Sequence, residues 1–268
     1  MKKEGLLRCL RALRPSRSSG PLSFVKKFTS KEIERATDEF STILESGPQG
    51  MVYRARFADG IVATIKQVRS LDRGKDTFYR EVQRLGRLHH RHLVRLQGFS
   101  EGEERFLVFD HMENGSLKEC LHDPLRTPLN WTTRLQIAIG VAAALLSDVG
   151  LADCNFNCTS ESNSSSSGDH IDQRSRDLVF QFGVLLLELI TGQSLDGEVE
   201  LVQWVQESGF VYSMHKMVDA DLGDSYDSKE LKCLLFIARL CTRTGSESLI
   251  SIRQILRYLQ GRVEHSIS

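Results

Sequence analysis

The sequence predicts an α+β protein in two parts, a small strand-rich part followed by a larger helix-rich part. Three observations predict it. Up to about residue 110, short runs rich in Val, Ile, Tyr and Phe are separated by Gly and Asp-Gly turns, with one helical pattern among them. After Met112 the apolar spacing becomes helical. Finally, Asp177–Thr191 is apolar on nearly every side, as a helix at the centre of a domain would be.

The elements follow in order. Ser30-Lys-Glu-Ile-Glu-Arg-Ala-Thr37 reads as a short capped helix. Strands are expected at Ser41–Glu45, Met51–Phe57 and Ile61–Val68, the last two joined by the hairpin signal Ala58-Asp59-Gly60. A helix over Asp76–Leu88 places Phe78, Val82 and Leu85 on one face, and strands follow at Leu93–Phe99 and Arg105–Asp110. Helices are then expected at Leu117–Leu121, at Trp131–Leu145 and at Asp177–Thr191, the last stopped by Gly192. Others fall near 200–207, 229–242 and 251–261. Between them, residues 153–172 are of low complexity around Ser164–Ser167, and composition predicts a disordered loop.

At 40% hydrophobic and 26% charged, the 268 residues have the make-up of a globular protein rather than a disordered one. Net charge is zero but uneven: residues 1–27 carry +7 and the remainder −7. A basic arm on an acidic body suits an anionic partner. Leu6, Leu10 and Leu13 share a helical face near Cys9, which suits a membrane-surface helix acylated at that cysteine. Pro15 ends any such helix early and favours a frayed tail. The six cysteines are scattered, as in a reducing compartment. Cys154 and Cys158, with His170 beyond, lack a fourth ligand at zinc spacing and read as incidental thiols. No stretch reaches the roughly 20 apolar residues of a membrane span. Leu6–Leu13 is interrupted by arginines, so no secretory signal is expected. A cytoplasmic location is expected, peripheral at the plasma membrane if the arm binds there. The sequons at Asn157 and Asn163 then carry little weight.

The chemistry-bearing residues form a series. Gly47-Pro-Gln-Gly50-Met-Val52 lies between two strand-like runs. Ala63-Thr-Ile-Lys66 follows, its lysine fourteen residues past Val52, and Glu81 lies fifteen further on, within a helix. Each signal is weak alone. In this order and spacing the set resembles the Gly-rich loop, strand lysine and helix glutamate of protein kinases. Leu107-Val-Phe-Asp-His-Met-Glu-Asn-Gly-Ser-Leu is similar to the hinge of plant receptor-like kinases. Leu93-Val-Arg-Leu-Gln-Gly-Phe, Leu129-Asn-Trp-Thr-Thr-Arg and Phe182-Gly-Val-Leu-Leu-Leu-Glu-Leu-Ile-Thr-Gly resemble that family too. Leu146-Ser-Asp148-Val-Gly resembles its metal-binding D-F-G segment. The resemblance covers about 28–262 and implies a bilobal kinase fold: a basic arm at 1–27, an N-lobe at 28–112 and a C-lobe at 113–268. It also implies ATP and Mg²⁺ as cofactors. Gly47 and Gly50 would cover the phosphates and Val52 the adenine. Lys66 would pair with the phosphates and Glu81. Asp110 and Met112 would offer backbone hydrogen bonds to adenine, with Phe109 as gatekeeper, and Asp148 would hold the metal.

The departures from that family bear on activity. No His-Arg-Asp occurs, and Ala142-Ala-Ala-Leu runs straight into Leu146-Ser-Asp148, so the catalytic base and the second metal ligand are absent. A positioned base alone contributes about 10²–10⁴-fold. No A-P-E-like motif lies between Asp148 and Asp177, and Leu249 stands where the family has that glutamate's arginine partner. Glu45 replaces the first loop glycine, Thr64 the alanine of V-A-I-K, and Val149 the D-F-G phenylalanine. The expected function is a kinase-like, catalytically inactive interaction module that retains a weakened nucleotide site. Its expected partners are receptor-like kinases or their signalling partners, with no nucleic acid among them. Two alternatives stay open. One is an active Ser/Thr kinase in which Asp153 or Asp177 replaces the base. The other is a poorly folded, shortened product of a receptor-kinase gene.

Overall fold

The computed structural model describes residues 25–47, 50–68, 75–157, 167–193, 198–243 and 250–266. Within these it places the backbone alone at 75, 148–157, 167–172, 174, 198–199 and 262–266. The chain divides into two compact units, one running to Arg87 and taking in Val94–His111, the other taking in Leu88–Leu93 and everything from Met112.

The first unit is a six-stranded sheet with two helices. In chain order it contains β1 (Lys26–Phe28), α1 (Ser30–Ala36), β2 (Ile43–Gly47), β3 (Gly50–Arg56), β4 (Val62–Val68), α2 (Lys75–Arg87), β5 (Leu96–Ser100) and β6 (Arg105–Asp110). The strand order is β1-β5-β6-β4-β3-β2, antiparallel throughout except for the β1–β5 pair. β1 was not legible from the sequence: Lys26 and Lys27, assigned to the basic arm, belong to the sheet, and Val25 beside them is buried. A three-residue strand leaves too little pattern to read. α1 begins at a capping box in which Thr29 and Glu32 satisfy each other's backbone N–H groups. Those hydrogen bonds hold the Glu32 carboxyl below its ordinary pKa.

Strand alternation gives the sheet two faces. Tyr53, Ala55, Ala63, Ile65, Phe106 and Val108 are buried on one, together with Phe28 and Ile33. On the other, Leu107 packs with Phe78 and Val82 of α2 and with Leu96 and Phe99 of β5. α2 covers only part of this second face.

The second unit is helical: α3 (Leu117–His122), α4 (Trp131–Asn157), α5 (Ser167–Thr191), α6 (Glu198–Gln206), α7 (Phe210–Met217), α8 (Ser228–Cys241) and α9 (Ile252–Ser266). Its core gathers Phe182, Leu186, Leu187 and Ile190 of α5 against Leu231 and Leu235 of α8 and Ile255 of α9. Gly183 lets α5 and α8 approach closely, since a Cβ there would lie 2.6 Å from Cys241 Cβ and 2.8 Å from Thr242 Cγ2.

The loop expected over 153–172 is corrected at both ends. Residues 153–157 are the last turns of α4 and 167–172 the first turns of α5. Ala-rich, unbroken helical hydrogen bonding carries α4 past Leu145, and low polar complexity did not predict where it ends. Residues 158–166 lie outside the described residues, as do the arm to residue 24, with Cys9, and Leu249. Among the described residues no helix is long and apolar enough to cross a membrane, and no group of three or more His, Cys, Asp or Glu side chains could hold a metal ion.

The buried C-terminus of α5 needs partners for carbonyls that no further turn can satisfy. Gly192 N–H donates to Glu188 at 2.9 Å and Asp219 N–H to Ile190 at 2.9 Å. Leu189 accepts from Arg134 Nη1 at 2.9 Å. Arg134, itself buried, also donates to Leu129 O at 2.8 Å and pairs with Asp219 at 2.6 Å. Removing one partner of a buried ion pair costs about 3–5 kcal/mol. Asp219→Ala is therefore expected to lower the thermal midpoint of the helical unit markedly in calorimetry, and an unshifted midpoint would refute this role.

Candidate nucleotide-binding face of the sheet

The face of the sheet that packs on α2 carries Lys66 and Thr64. Register fixes their neighbours. Val52 lies opposite Lys66, Lys66 opposite Leu107 and Thr64 opposite Phe109. These five side chains therefore share one face. Apolar Val52, Leu107 and Phe109 frame a cation at Lys66 and a hydroxyl at Thr64.

At the edge of this face, β2 and β3 form a hairpin in which Gly47 lies opposite Gly50. Gly50 has φ 123°, a conformation that side chains rarely adopt, and a Cβ added at Gly47 would meet nothing within 4 Å. The hairpin can thus bring backbone close to a bound group. Glu45, the residue in place of the first loop glycine, is exposed on β2.

Glu81 sits on α2, where its carboxylate is gripped by Arg84 one turn further on. Arg84 Nη2 donates to Oε1 at 2.7 Å and Nε to Oε2 at 3.0 Å. This two-point grip was not foreseen, although opposite charges at i and i+3 on a helix announce it. It adds a competitor for the carboxylate that the family uses to hold the strand lysine.

A second unforeseen contact closes part of the face. Thr64 Oγ1 and His111 Nδ1 share a hydrogen bond of 3.0 Å. Alternation along β6 and its continuation places Phe109 and His111 on the same side, so His111 lies diagonally across from Thr64. The signal was available: a polar residue replaces the small one of V-A-I-K, two residues in register from an imidazole. Asp110 is tied down as well. Its carboxylate accepts from Gln97 Nε2 at 2.6 Å, and its N–H donates to Arg95 O at 3.1 Å.

The first unit contains Gly47, Gly50, Val52, Lys66, Glu81 and Asp110: register sets Val52 beside Lys66 and Gly47 opposite Gly50, whereas the Asp110 side chain alternates onto the other face of the sheet. Met112 and Asp148 belong to the second unit. Met112 is exposed, and the backbone of Asp148 lies inside α4. The sequence led us to expect a break in the helix before Leu146. Instead α4 passes through Leu146-Ser147-Asp148 without interruption.

Comparison with known proteins gives the family. The model for the protein tyrosine and serine/threonine kinase domain matches residues 39–147. A probable receptor-like protein kinase of Arabidopsis thaliana is 35% identical over 88% of this chain and 43% of its own length. The Arabidopsis receptor-like serine/threonine-protein kinase NCRK is 29% identical over 87% of this chain and 52% of its own length. The chain therefore spans about half the length of these relatives. Among solved structures, the pseudokinase domain of BIR2, described as an immune regulator of the RLK/Pelle family, aligns with a TM-score of 0.69 at 25% identity. That alignment covers 98% of this chain and 93% of the other. Sheet, helices and motif order together place the chain in the α+β protein-kinase fold, and it is a kinase-like domain of the plant receptor-like kinase type.

Proposed function

We propose that this domain works as a non-catalytic interaction module in receptor-like kinase signalling. The observation that carries the reading is the continuity of α4. In the family a loop bearing the catalytic aspartate stands between that helix and the D-F-G segment. Here helical hydrogen bonds run straight through the junction, and the chain has no His-Arg-Asp elsewhere. Phosphoryl transfer needs a group to orient and deprotonate the hydroxyl and two metal ligands to neutralise charge. Asp153 lies in α4 and Asp177 in α5, where Asp177 accepts a hydrogen bond from Gln173 at 2.8 Å. The likeness to the pseudokinase domain of BIR2, an immune regulator, supports a regulatory role here. Receptor-like kinases or their signalling partners are the proposed targets, at the cytoplasmic face of the plasma membrane. The basic residues of 1–27 would complement an anionic surface there.

ATP with Mg²⁺ is the ligand that the family binds; bound here, it would supply a phosphate chain and a divalent cation to offset its charge. The sheet's half of such a site fits in part. Lys66 supplies a cation for phosphate, and the Gly47–Gly50 hairpin leaves room for close backbone approach. The adenine portion fits less well. The Thr64–His111 hydrogen bond occupies the face where an adenine ring would lie, and the ring would have to displace it. Asp148, the remaining metal-ligand candidate, is fixed in helical backbone.

Two outcomes test the reading. Purified protein should transfer no radiolabelled phosphate to itself or to generic protein substrates, whereas transfer abolished by Lys66→Ala would refute the non-catalytic assignment. Mg-ATP should raise the thermal midpoint only slightly, and Thr64→Ala should tighten nucleotide binding about tenfold, or 1.4 kcal/mol. Equal shifts in both proteins would show that the Thr64–His111 contact does not obstruct the face.

A further inference from the structure

Helices α8 and α9 leave an open groove between them, of about 340 Å³, lined by Cys233, Phe236, Leu240, Ile250, Gln254 and Tyr258. Its walls are unusually apolar for an exposed surface: Phe236 is 43% exposed, Leu240 36% and Tyr258 44%. Ile237 forms part of the floor. Cys233, Ile237 and Tyr258 also line a small apolar pit of about 20 Å³, backed by Leu135 and Ile139 of α4. The lining residues follow helical spacing. Residues 233, 236, 237 and 240 run along α8, and 254 and 258 along α9, so the groove is walled by one stripe from each helix, with Ile250 just before α9. A channel of that form accepts the apolar face of a third helix, with side chains at i, i+3, i+4 and i+7 filling it.

Charge decides what kind of helix. Over 228–243 and 250–261 the basic residues are Lys229, Lys232, Arg239, Arg243, Arg253 and Arg257, and the single acidic residue is Glu230. Glu230 is engaged by Trp131, whose Nε1 donates to it at 2.7 Å. Arg239 is turned towards the carbonyls of Gln206 and Glu207. Lys232 lies four residues before Phe236 and Arg243 three after Leu240, so both flank the α8 stripe, while Arg253 and Arg257 flank the α9 stripe. The rim is therefore basic. The chain's own arm, at +5 over residues 1–24, would be repelled by it. So would a second copy of this groove placed face to face.

We infer that the α8–α9 groove is a docking site for an acidic amphipathic helix of a partner protein. This rests on the interaction role proposed above and gives it a location. Apolar anchors of the partner would fill the channel between Phe236 and Tyr258, and its Asp or Glu side chains would meet Lys232 and Arg257. The rim charges would set on-rate and salt sensitivity, and the apolar anchors would set residence time.

The groove carries its own reporter. Cys233 is partly exposed and accepts a hydrogen bond from Tyr258 at 3.2 Å. Cys241, on the same helix, is buried, and its thiol is pushed up to about 12. Alkylation read by peptide mass spectrometry should therefore modify Cys233 and spare Cys241 in the folded chain.

The test uses the full chain and two fluorescent helical peptides of about 18 residues. Both carry Leu and Phe along one face, with Glu on the other face in one peptide and Lys in the other. Anisotropy should show the Glu peptide binding at least about tenfold more tightly than the Lys peptide. It should also protect Cys233 from alkylation. Lys232→Glu with Arg257→Glu should reverse the preference, and Phe236→Ser should weaken binding of the Glu peptide about tenfold. If Phe236→Ser fails to fold, the charge-reversal variant decides alone, because both of its sites are exposed. Indifference to peptide charge would overturn the proposal, as would full binding by a folded Phe236→Ser variant. Self-association that Phe236→Ser abolishes would assign the groove to a second copy. Deletion of residues 1–24 that alone exposes Cys233 would assign it to the arm. Either result would also overturn the proposal. The transfer assay on the same protein reports separately on the non-catalytic reading.

Discussion

The helical unit depends on one buried cation. α5 is enclosed by the core over most of its length, so its C-terminal carbonyls end away from water and must find donors within the protein. Arg134 reaches one of them from α4, and its charge is balanced by Asp219, whose own N–H serves a second. Neither partner is stable in place without the other: an unpaired guanidinium or carboxylate there would carry the desolvation cost of a buried ion. The arrangement ties the start of α4, the end of α5 and the segment before α8 into one joint. It also lies away from the junction at Leu146, which explains how a helical core of this kind persists although the catalytic loop is missing from the sequence.

The same junction governs what the domain can do chemically. A chain that leaves α4 through a loop can aim an aspartate at a substrate hydroxyl. A chain that continues as helix spaces its side chains at 3.6 residues per turn and commits each backbone amide to the residue four before it. Asp148 is held by this geometry. The sheet shows the opposite pattern, because its architecture is complete and the changes lie in single side chains. Thr64 meets His111, Arg84 grips Glu81, and Glu45 stands where a glycine would. In the helical unit the departure from the family pattern therefore lies in connectivity. In the sheet the nucleotide-facing changes come from substitution.

How far the sequence foretold this structure follows the same division. β3, β4 and β6, with α2 between them in the chain, were legible because alternation and helical spacing act over short distances and the turns between strands carry Gly and Asp-Gly. β1 escaped because three residues cannot display a period, and its place beside β5 is a long-range pairing. The lengths of α4 and α5 escaped because helix propagation past Leu145, and before Asp177, depends on continuing hydrogen bonds rather than on an apolar stripe. At the candidate site, the motif order is what singles out Gly47, Gly50, Val52, Lys66, Glu81 and Asp110 as candidates. The partners Arg84 and His111 were recoverable only once register and helical phase were fixed, because each contact joins residues that no motif links.

An interaction role makes physical sense of the remaining asymmetry of charge and exposure. A domain acting in the proposed interaction role works through the surface it presents. The second unit presents Phe236, Leu240 and Tyr258 together between two helices with a basic rim, whereas its other exposed large apolar side chains, Met112, Leu125 and Tyr212, line no part of this groove. Leaving three such side chains in water forfeits hydrophobic stabilisation that burial would have supplied. A basic rim also discourages the groove from closing on a copy of itself, and so keeps it available for an oppositely charged partner. Rigid helices on both walls favour such binding, because little conformational entropy is lost when a helix docks between preformed surfaces.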